Sequence, residues 1–277
     1  MRHILLHGHI FKNAGSTFDW SLRRSFGPGF CEHRNDQLMR ETPDVALHDA
    51  LRDPELMALS SHNLPSQPPG ARGIRFHTVF LLRDPVERVL SVYAFERAQQ
   101  ANTPGARAAK RMTLQEYVGW RLQDDVRPVI RDFQTRFLAG AAWRRSSDAL
   151  SEHALAEARR QVEESALVGI VSRYDDSMVM IEAALEGYFP RLDLAYVAQN
   201  VRRGGAGAAA SATPAKVQLG SLFDDVLAHN RHDSALYALA SEQLEQRITA
   251  LADLARRREA FQRRRSALDS SGPGARW

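Results

Sequence analysis

Residues 3–18 of the chain read HILLHGHIFKNAGSTF. The first seven are mostly apolar with interspersed histidines, and a polar segment that contains a glycine follows at residues 12–17. Phe18, Leu22 and Phe26 then recur at four-residue spacing, which is the period of one helix face. This order predicts a strand, a tight loop and a helix.

The same arrangement returns at residues 77–93, which read HTVFLLRDPVERVLSVY. The first six are rich in β-branched and aromatic side chains, as is typical of a buried strand. Asp84 suits the N-cap of a following helix, Pro85 its first position, and Glu87 the acidic position of a capping box. The apolar stripe that follows predicts a helix of about four turns.

Several other segments have recognisable patterns. Further buried strands are predicted at residues 56–61 and 166–171, a helix at 175–185, a flexible loop at 204–212 and a last long helix at 232–265. Alternating strands and helices predict a P-loop-like, three-layer α/β fold, with a mainly parallel sheet flanked by helices and ligands at the carboxyl ends of the strands. We expect one domain over residues 1–265 and a disordered tail at 266–277.

Composition narrows the class of protein. Among 277 residues, 44% are hydrophobic and 25% charged, which is typical of a globular protein. The net charge of +4 owes much to an arginine run at residues 256–265, and no zinc-ligand spacing or aromatic-basic interleaving indicates a nucleic-acid partner. Cys31 stands alone, and the apolar run at residues 4–6 is too short for a signal peptide or a membrane span. We therefore expect a cytoplasmic protein without a transmembrane segment.

The loop after the first predicted strand has the chemistry of a phosphate site. Backbone amides at a helix N-terminus, reinforced by Lys12, can hold an anion. The loop is not a Walker A motif, because the upstream glycine is missing and the lysine does not adjoin a hydroxyl residue that would bind Mg²⁺. An ordinary capped turn with a solvated lysine is the alternative.

The second strand end also carries possible phosphate ligands. Arg83 leaves the strand at its carboxyl end, and Ser91 returns to the same helix face two turns later. A guanidinium and a hydroxyl could share one phosphate there. Alternatively, Arg83 pairs with an acidic neighbour and Ser91 only packs against another helix.

Together, the two segments resemble the donor-binding signatures of the sulfotransferase superfamily that uses 3'-phosphoadenosine-5'-phosphosulfate (PAPS). The resemblance is strongest to the Golgi carbohydrate branch and its soluble bacterial relatives. The family's second signature, Leu-Arg-Asp-Pro-Val-Glu-Arg followed by Ser-x-Tyr, is nearly complete at residues 82–93. The first typically reads His-Ile-Pro-Lys-Thr-Ala-Gly-Thr-Ser; here Phe11 replaces the proline, Asn13 the threonine, and Ser16 and Thr17 reverse the hydroxyls. Weaker similarity at residues 168–177 and 230–237 extends it to about residue 250.

The resemblance implies an enzyme with PAPS as donor, no metal requirement, and a hydroxyl acceptor that is a small molecule or, by family analogy, a carbohydrate or glycoconjugate. Lys12 would contact the 5'-phosphosulfate and stabilise the departing oxygen, while Arg83 and Ser91 would hold the 3'-phosphate. Further donor contacts are expected from the loop residues Asn13, Ala14, Gly15, Ser16 and Thr17 and from Tyr174 and Arg202. Arg203 and Lys216 are further candidates for the nucleotide or the acceptor.

The acceptor hydroxyl needs a base, and His62 follows a predicted strand where sulfotransferases resembling this chain carry a catalytic histidine. An exposed loop histidine is the alternative, and Glu32 is the next candidate. His7 and His9 are expected in the core or in support of the site. Two other functions stay open: a phosphotransferase with a degenerate P-loop, and a nonenzymatic nucleotide or polyanion binder that uses the basic C-terminal helix.

Overall fold

The computed structural model describes residues 1–165, 167–199 and 213–270. The chain has an α/β fold on a five-stranded sheet in which every strand pair is parallel, as predicted. The strand order is β2-β3-β1-β4-β5. The strands are β1 (Arg2–Gly8), β2 (Phe30–Glu32), β3 (Ala58–Ser61), β4 (Ile74–Leu82) and β5 (Leu167–Ile170).

Thirteen α-helices are assigned in the described residues, and none of them has the length and apolar character needed to cross a membrane. The helices are α1 (Gly15–Phe26), α2 (Asp36–Glu41), α3 (Pro43–Leu51), α4 (Pro85–Ala98), α5 (Pro104–Arg111), α6 (Leu114–Arg121), α7 (Phe133–Leu138), α8 (Glu152–Arg160), α9 (Tyr174–Leu185), α10 (Ala215–Leu219), α11 (Phe223–Ala228), α12 (Arg231–Thr249) and α13 (Leu254–Ser270).

The chain folds into two compact units. The sequence predicted one domain over residues 1–265. Among the described residues, unit 1 comprises 1–82, 162–199 and 239–270 and contains the whole sheet. Unit 2 comprises 83–161 and 213–238 and is helical.

Helices cover both faces of the sheet in unit 1. Ile4 and Leu6 of β1 point to the face packed by Met39 of α2 and Leu47 of α3. The alternate residues point the other way, where His7 meets Phe18 of α1 edge to face. Because a parallel sheet is buried on both faces, its central strands are almost continuously apolar, which explains why β1 and β4 were recognisable from sequence.

The carboxyl ends of the neighbouring strands β1 and β4 form a topological switch point of the sheet. The connections that leave these two strands lead to opposite sides of the sheet. β1 lies between β3 and β4, its own connection leads to β2 on one side, and β4 leads on to β5 on the other. The loop after β1 crosses to β4, since Asn13 Nδ2 donates to the carbonyl oxygen of Leu81 at 2.7 Å. Open α/β sheets bind ligands at such a switch point.

The C-terminal region differs from its prediction. The single helix expected at residues 232–265 is two helices, α12 and α13, separated by a break at which Asp253 adopts the left-handed conformation (φ 58°). Aspartate tolerates that conformation better than most residues, so the break needs neither glycine nor proline. The apolar pattern continues through it, and the sequence therefore did not reveal where the helix ends. α13 continues to Ser270, so residues 266–270 are helical where a tail was predicted, and residues 271–277 and the predicted loop at 204–212 lie outside the described residues.

The arginines of α13 are neutralised by carboxylates of unit 1. Arg258, Arg264 and Arg265 bind Asp176, Glu182 and Asp175 of α9 at 2.8, 2.7 and 2.7 Å. Arg264 also binds Asp193, and Arg257 binds Glu186 directly after α9. The pairs Arg256–Asp253 and Arg263–Glu259 are local to the segment itself. The charge of the basic run is therefore largely compensated, in part by carboxylates of α9.

A substitution at Gly8 tests how closely β1 packs against the Phe80 side chain of β4. A Cβ atom at Gly8 would lie 2.0 Å from Cε1 of Phe80, so Gly8→Ala must displace that fully buried ring. We expect a loss of about 1–3 kcal/mol in the free energy of unfolding, measured by chemical denaturation. Gly70→Ala is the matched control, because nothing lies within 4 Å of its Cβ position. Equal denaturation midpoints for the two variants would contradict the packing described here.

Candidate functional site

The loop between β1 and α1 has an unusual backbone. Lys12 (φ 67°) and Ala14 (φ 59°) both adopt the left-handed conformation although neither is glycine. Such strain is concentrated at functional sites in proteins. Turns of this kind direct backbone N–H groups into a concave surface that suits an anion.

The first turn of α1 has electrostatic features that favour an anion. Ala14 occupies the N-cap position, no side chain caps the helix among the described residues, and the first turn has no acidic residue. The amides and the helix dipole therefore present partial positive charge at the N-terminus. Lys12, half-buried in the preceding turn, adds a full positive charge.

The polar side chains of this loop have different roles. Thr17 is buried, and its Oγ1 accepts a hydrogen bond from the backbone N–H of Gln199 at 3.1 Å. Asn13 is 1% exposed and fastens the loop to β4 as described above. Ser16, in contrast, is exposed at the start of α1. The two hydroxyls that the sequence could not distinguish therefore differ in exposure: Ser16 is exposed and Thr17 is buried.

His62 directly follows β3, as predicted, and its geometry suits a base. Its Nδ1 lies 2.9 Å from the carbonyl oxygen of His9, and its ring contacts the His9 ring at an interplanar angle of 42° with centroids 4.0 Å apart. Because a carbonyl can only accept, Nδ1 must carry the proton and Nε2 its lone pair. Loss of solvation, followed by the proximity of His9, lowers the pKa of His62, so the neutral form is favoured at pH 7.

A buried carboxylate, Asp19 of α1, underlies this histidine. Its two oxygens lie 2.6 Å from Nδ1 of His7 and 2.8 Å from Nδ1 of His9. Burial alone would raise the pKa of Asp19, but the two imidazoles outweigh it and hold that pKa well below its usual range. Sequence reasoning missed Asp19; the available signal was a charged residue between Phe18 and Leu22 on the apolar face of a predicted helix.

His7, His9 and Asp19 are also the residues among those described that could hold a metal ion, with donor atoms within 4.8 Å of one another. The observed nitrogen–oxygen distances are those of N–H···O hydrogen bonds. A metal would instead require deprotonated Nδ1 atoms at about 2.0–2.1 Å from a zinc ion.

In unit 2, the side chain of Gln134 forms hydrogen bonds with both the backbone N–H and the backbone carbonyl of Arg83. Arg83 N donates to Oε1 of Gln134 and Arg83 O accepts from its Nε2, each at 2.9 Å. Asp84 accepts from the N–H of Glu87 at 2.9 Å, which confirms the predicted N-cap of α4. The guanidinium of Arg83 lies 3.7 Å from the carboxylate of Glu87, and burial lowers the pKa of Arg83. Ser91 is half-buried within α4.

Gln134 is itself held by a buried polar network. Asp233 Oδ2 accepts from the N–H of Gln134 at 3.1 Å, and its Oδ1 accepts from the N–H of Thr135 at 2.7 Å, so Asp233 caps α7. Asp132 in turn accepts from the N–H groups of His232 and Asp233 at 3.0 Å and so binds the first turn of α12. Burial and the charge of Asp233 raise the pKa of Asp132 to about 7.

Of the remaining predicted residues, Tyr174 is buried, Lys216 is exposed, Glu32 is half-buried, and two arginines lie outside the described residues. Tyr174 begins α9, is 9% exposed and meets Tyr196 edge to face at 4.6 Å, so its ring is part of the interior. Lys216 lies in α10 near Phe223. Glu32 binds Arg23 and Arg34; burial alone would raise its pKa, but these hydrogen bonds lower it. Arg202 and Arg203 lie outside the described residues.

The weaker resemblance at residues 168–177 has a packing explanation. A Cβ atom at Gly169 would lie 2.9 Å from Cβ of Ser177, so glycine permits α9 to approach β5. Ser177 Oγ accepts from the backbone N–H of Ile170 at 2.8 Å. These residues therefore join α9 to the sheet.

Comparison with known proteins adds one relative. A protein of Archaeoglobus fulgidus described as uncharacterized is 27% identical over 208 residues, which cover 73% of this chain and 80% of the archaeal protein. No protein-family model matches the chain. These findings assign neither a family nor an activity, so function must be argued from the site.

Asp132 makes the stability of unit 2 dependent on pH. Its folded-state pKa of about 7 lies above the ordinary 3.8, so the folded chain retains a proton that the unfolded chain loses. The free energy of unfolding should thus fall as the pH rises from about 4 to about 7. Asp132→Asn keeps the acceptor oxygen without the charge and should be more stable than wild type at pH 8 by about 1–3 kcal/mol, with little difference at pH 4.

Chemical denaturation at the two pH values checks this, with the exposed Asp125→Asn as control. A wild-type advantage at pH 8 would show that the ionised carboxylate is stabilising and would contradict the expectation.

Proposed function

We propose that the protein is a sulfotransferase that moves a sulfuryl group from PAPS to a hydroxyl of a carbohydrate or glycoconjugate. The observation that carries this proposal is the β1–α1 loop. It combines Lys12, two left-handed residues and an uncapped helix N-terminus at the switch point of a parallel sheet. Loops with this combination bind phosphate-like groups.

The demands of sulfuryl transfer fit such a loop. The transferred unit is close to neutral SO₃, so negative charge gathers on the leaving phosphate of the nucleotide. In this proposal Lys12 and the first amides of α1 stabilise that oxyanion, and preorganised donors of this kind supply a large part of enzymatic rate enhancement. Exposed Ser16 adds a hydroxyl donor, while Thr17 and Asn13 keep the loop in place.

His62 supplies the base for the acceptor. The acceptor oxygen forms a bond to sulfur, the bond between sulfur and the bridging phosphate oxygen breaks, and the acceptor proton passes to Nε2 of His62. The leaving group is adenosine 3',5'-bisphosphate. The Nδ1–H···O bond to His9 leaves Nε2 unprotonated and fixes the ring, which are the two requirements of a general base.

Arg83 and Ser91 are proposed as ligands of the 3'-phosphate. This assignment rests on the sequence resemblance at residues 82–93. Gln134 and the Asp84 cap support it, because they fix the backbone from which the Arg83 guanidinium extends. Guanidinium groups are well suited to two-pronged recognition of phosphate.

Two competing functions are disfavoured by particular residues. A polyanion binder would need free cations on the C-terminal helix, whereas all six arginines of the run at residues 256–265 have carboxylate partners. A phosphotransferase of the P-loop type would need a hydroxyl residue directly after its lysine, and Asn13 occupies that position with its side chain bonded to Leu81.

The donor assignment is tested by ligand-induced stabilisation. PAPS or adenosine 3',5'-bisphosphate should raise the thermal midpoint, since a ligand at a hundredfold excess over its Kd stabilises the folded state by about 2.7 kcal/mol. ATP should do so much less. Lys12→Ala should reduce the shift, and the exposed Lys110→Ala should not. An unchanged midpoint with millimolar bisphosphate would reject the donor.

The base assignment is tested by turnover. His62→Ala should bind the bisphosphate normally and lose about 10²- to 10⁴-fold in rate. Mass spectrometry of acceptor mixtures incubated with PAPS would report the gain of one sulfuryl group. Wild-type turnover should fall with decreasing pH only below the ordinary imidazole range, because the pKa of His62 is lowered. The exposed His48→Ala is the control, and a His62→Ala rate within about tenfold of wild type would exclude His62 as the base.

A further inference from the structure

We propose that a basic surface on α4 and α5 of unit 2 binds the anionic lipids of a membrane. This surface, the α5 basic face, consists of four exposed side chains, those of Arg97, Arg107, Lys110 and Arg111. Its contact with lipid headgroups would bring the protein to a membrane surface through electrostatic attraction. Membrane binding of this kind is independent of the proposed sulfuryl transfer.

The four cations lie close together. The second and third cations of α5 follow the first by three and four residues, so they share one face of a helix about 12 Å long. Arg97, in the last turn of α4, reaches the end of that face. Its Nη1 donates to the hydroxyl of Tyr93 at 2.6 Å, and the same hydroxyl donates to the carbonyl oxygen of Met112 at 3.0 Å.

The opposite side of α5 is packed closely on the rest of unit 2. Gly105, Ala106 and Ala109 are buried. A Cβ atom at Gly105 would lie 2.0 Å from Nη2 of Arg121, so the helix lies directly on the buried Arg121–Glu96 ion pair. This packing fixes α5 in place, and its charged side chains extend into solvent.

The sequence around α5 offers little negative charge to compensate this face. Residues 97–115 contain the four cations and no aspartate or glutamate. Of the two flanking carboxylates, that of Glu96 binds Arg121, and Glu116 accepts from the backbone N–H and the hydroxyl of Thr113, both at 2.8 Å.

None of the four cations forms an ion pair with a carboxylate among the described residues. Neutral groups orient two of them instead: Arg97 donates to the Tyr93 hydroxyl, and Arg107 donates to the backbone and side-chain oxygens of Asn102 at 2.9 and 3.3 Å. The arginines of α13 differ, because carboxylates neutralise them. The α5 basic face therefore retains its positive charge.

An anionic membrane is the partner whose chemistry this face fits. Clusters of four or more basic residues on an amphipathic helix bind anionic lipid headgroups. Phe95, in the same turn of α4 as Arg97, is 36% exposed, and phenylalanine is favoured where a protein surface meets the acyl boundary of a bilayer. Lipid thus accounts for both the cations and the exposed ring, whereas a sulfated polymer accounts for the cations alone.

The α5 basic face is separate from the proposed donor ligand of unit 2. Arg83 precedes α4 and Arg97 lies in its last turn, which places them about 20 Å apart along the helix. Substitutions on α5 therefore do not alter the proposed contact of Arg83 with the nucleotide. Lipid binding and nucleotide binding can be measured separately.

Vesicle sedimentation tests the proposal. Wild-type protein should bind vesicles made of equal parts of phosphatidylcholine and phosphatidylglycerol at low ionic strength, and should bind phosphatidylcholine vesicles little. Salt at 1 M, which reduces the Debye length to about 3 Å, should release it. The double variant Lys110→Gln with Arg111→Gln should bind the anionic vesicles about 25-fold more weakly, which is about fivefold for each residue.

The matched control removes the same charge from α13. Arg256→Gln with Arg263→Gln alters two exposed arginines that have carboxylate partners, and this variant should bind the vesicles as wild type does. Equal losses in the two double variants would show that net charge determines binding, and would overturn the role of α5. The thermal midpoint of each variant, measured in parallel, distinguishes lost binding from lost folding.

A second measurement needs only the wild-type chain. Its lysines are Lys12, Lys110 and Lys216, so acetylation followed by mass spectrometry reports on each amine separately. Anionic vesicles should protect Lys110 from acetylation. Protection of Lys12 without protection of Lys110 would place the lipid at the β1–α1 loop and overturn the proposal. Absence of binding to anionic vesicles would also overturn it, and so would binding to heparin or RNA by a protein that does not bind the vesicles.

Discussion

The carboxylate of Asp19, enclosed between two imidazoles, is the interaction on which unit 1 depends most. It joins α1 to the end of β1 through His7 and His9. An isolated charge is unfavourable in a protein interior. The arrangement of β1 and α1 must therefore keep both imidazoles within hydrogen-bonding distance of the Asp19 carboxylate. The position of His9 then determines two further features: its ring edge requires glycine at position 15, and its carbonyl oxygen orients His62.

Unit 2 uses the same kind of constraint in a different form. Asp132 and Asp233 each lie near the N-terminus of one helix and cap the other, so that α7 and α12 are held together by reciprocal hydrogen bonds to backbone amides. Gln134 extends this network to the backbone of Arg83. In each unit a buried carboxylate holds neighbouring backbone or side-chain groups in place. Burial and the charge of Asp233 raise the pKa of Asp132, and the hydrogen bonds from the backbone N–H groups of Asp233 and His232 offset that rise only in part.

The arginine-rich helix shows how composition can mislead about electrostatics. A run of basic residues near the C-terminus suggested a polyanion surface, yet α9 presents the matching carboxylates and α13 lies against them. Individual ion pairs near the surface contribute little to stability. They nevertheless neutralise the arginines that face α9.

From the sequence alone, the α/β class, four of the five strands and the start of α4 at Asp84 and Pro85 could be predicted, because each depends on local periodicity or on capping chemistry. The loop with Lys12 and the position of His62 after β3 were likewise recognisable. Only the tertiary structure revealed the role of Asp19, the difference between Ser16 and Thr17, the interior position of Tyr174 and the break before α13. Those features depend on residues far apart in the chain: Gln199 occupies the Thr17 hydroxyl, and Tyr196 encloses Tyr174. A local pattern shows which face of an element is apolar, but which distant residue completes a hydrogen bond is decided by how the elements pack.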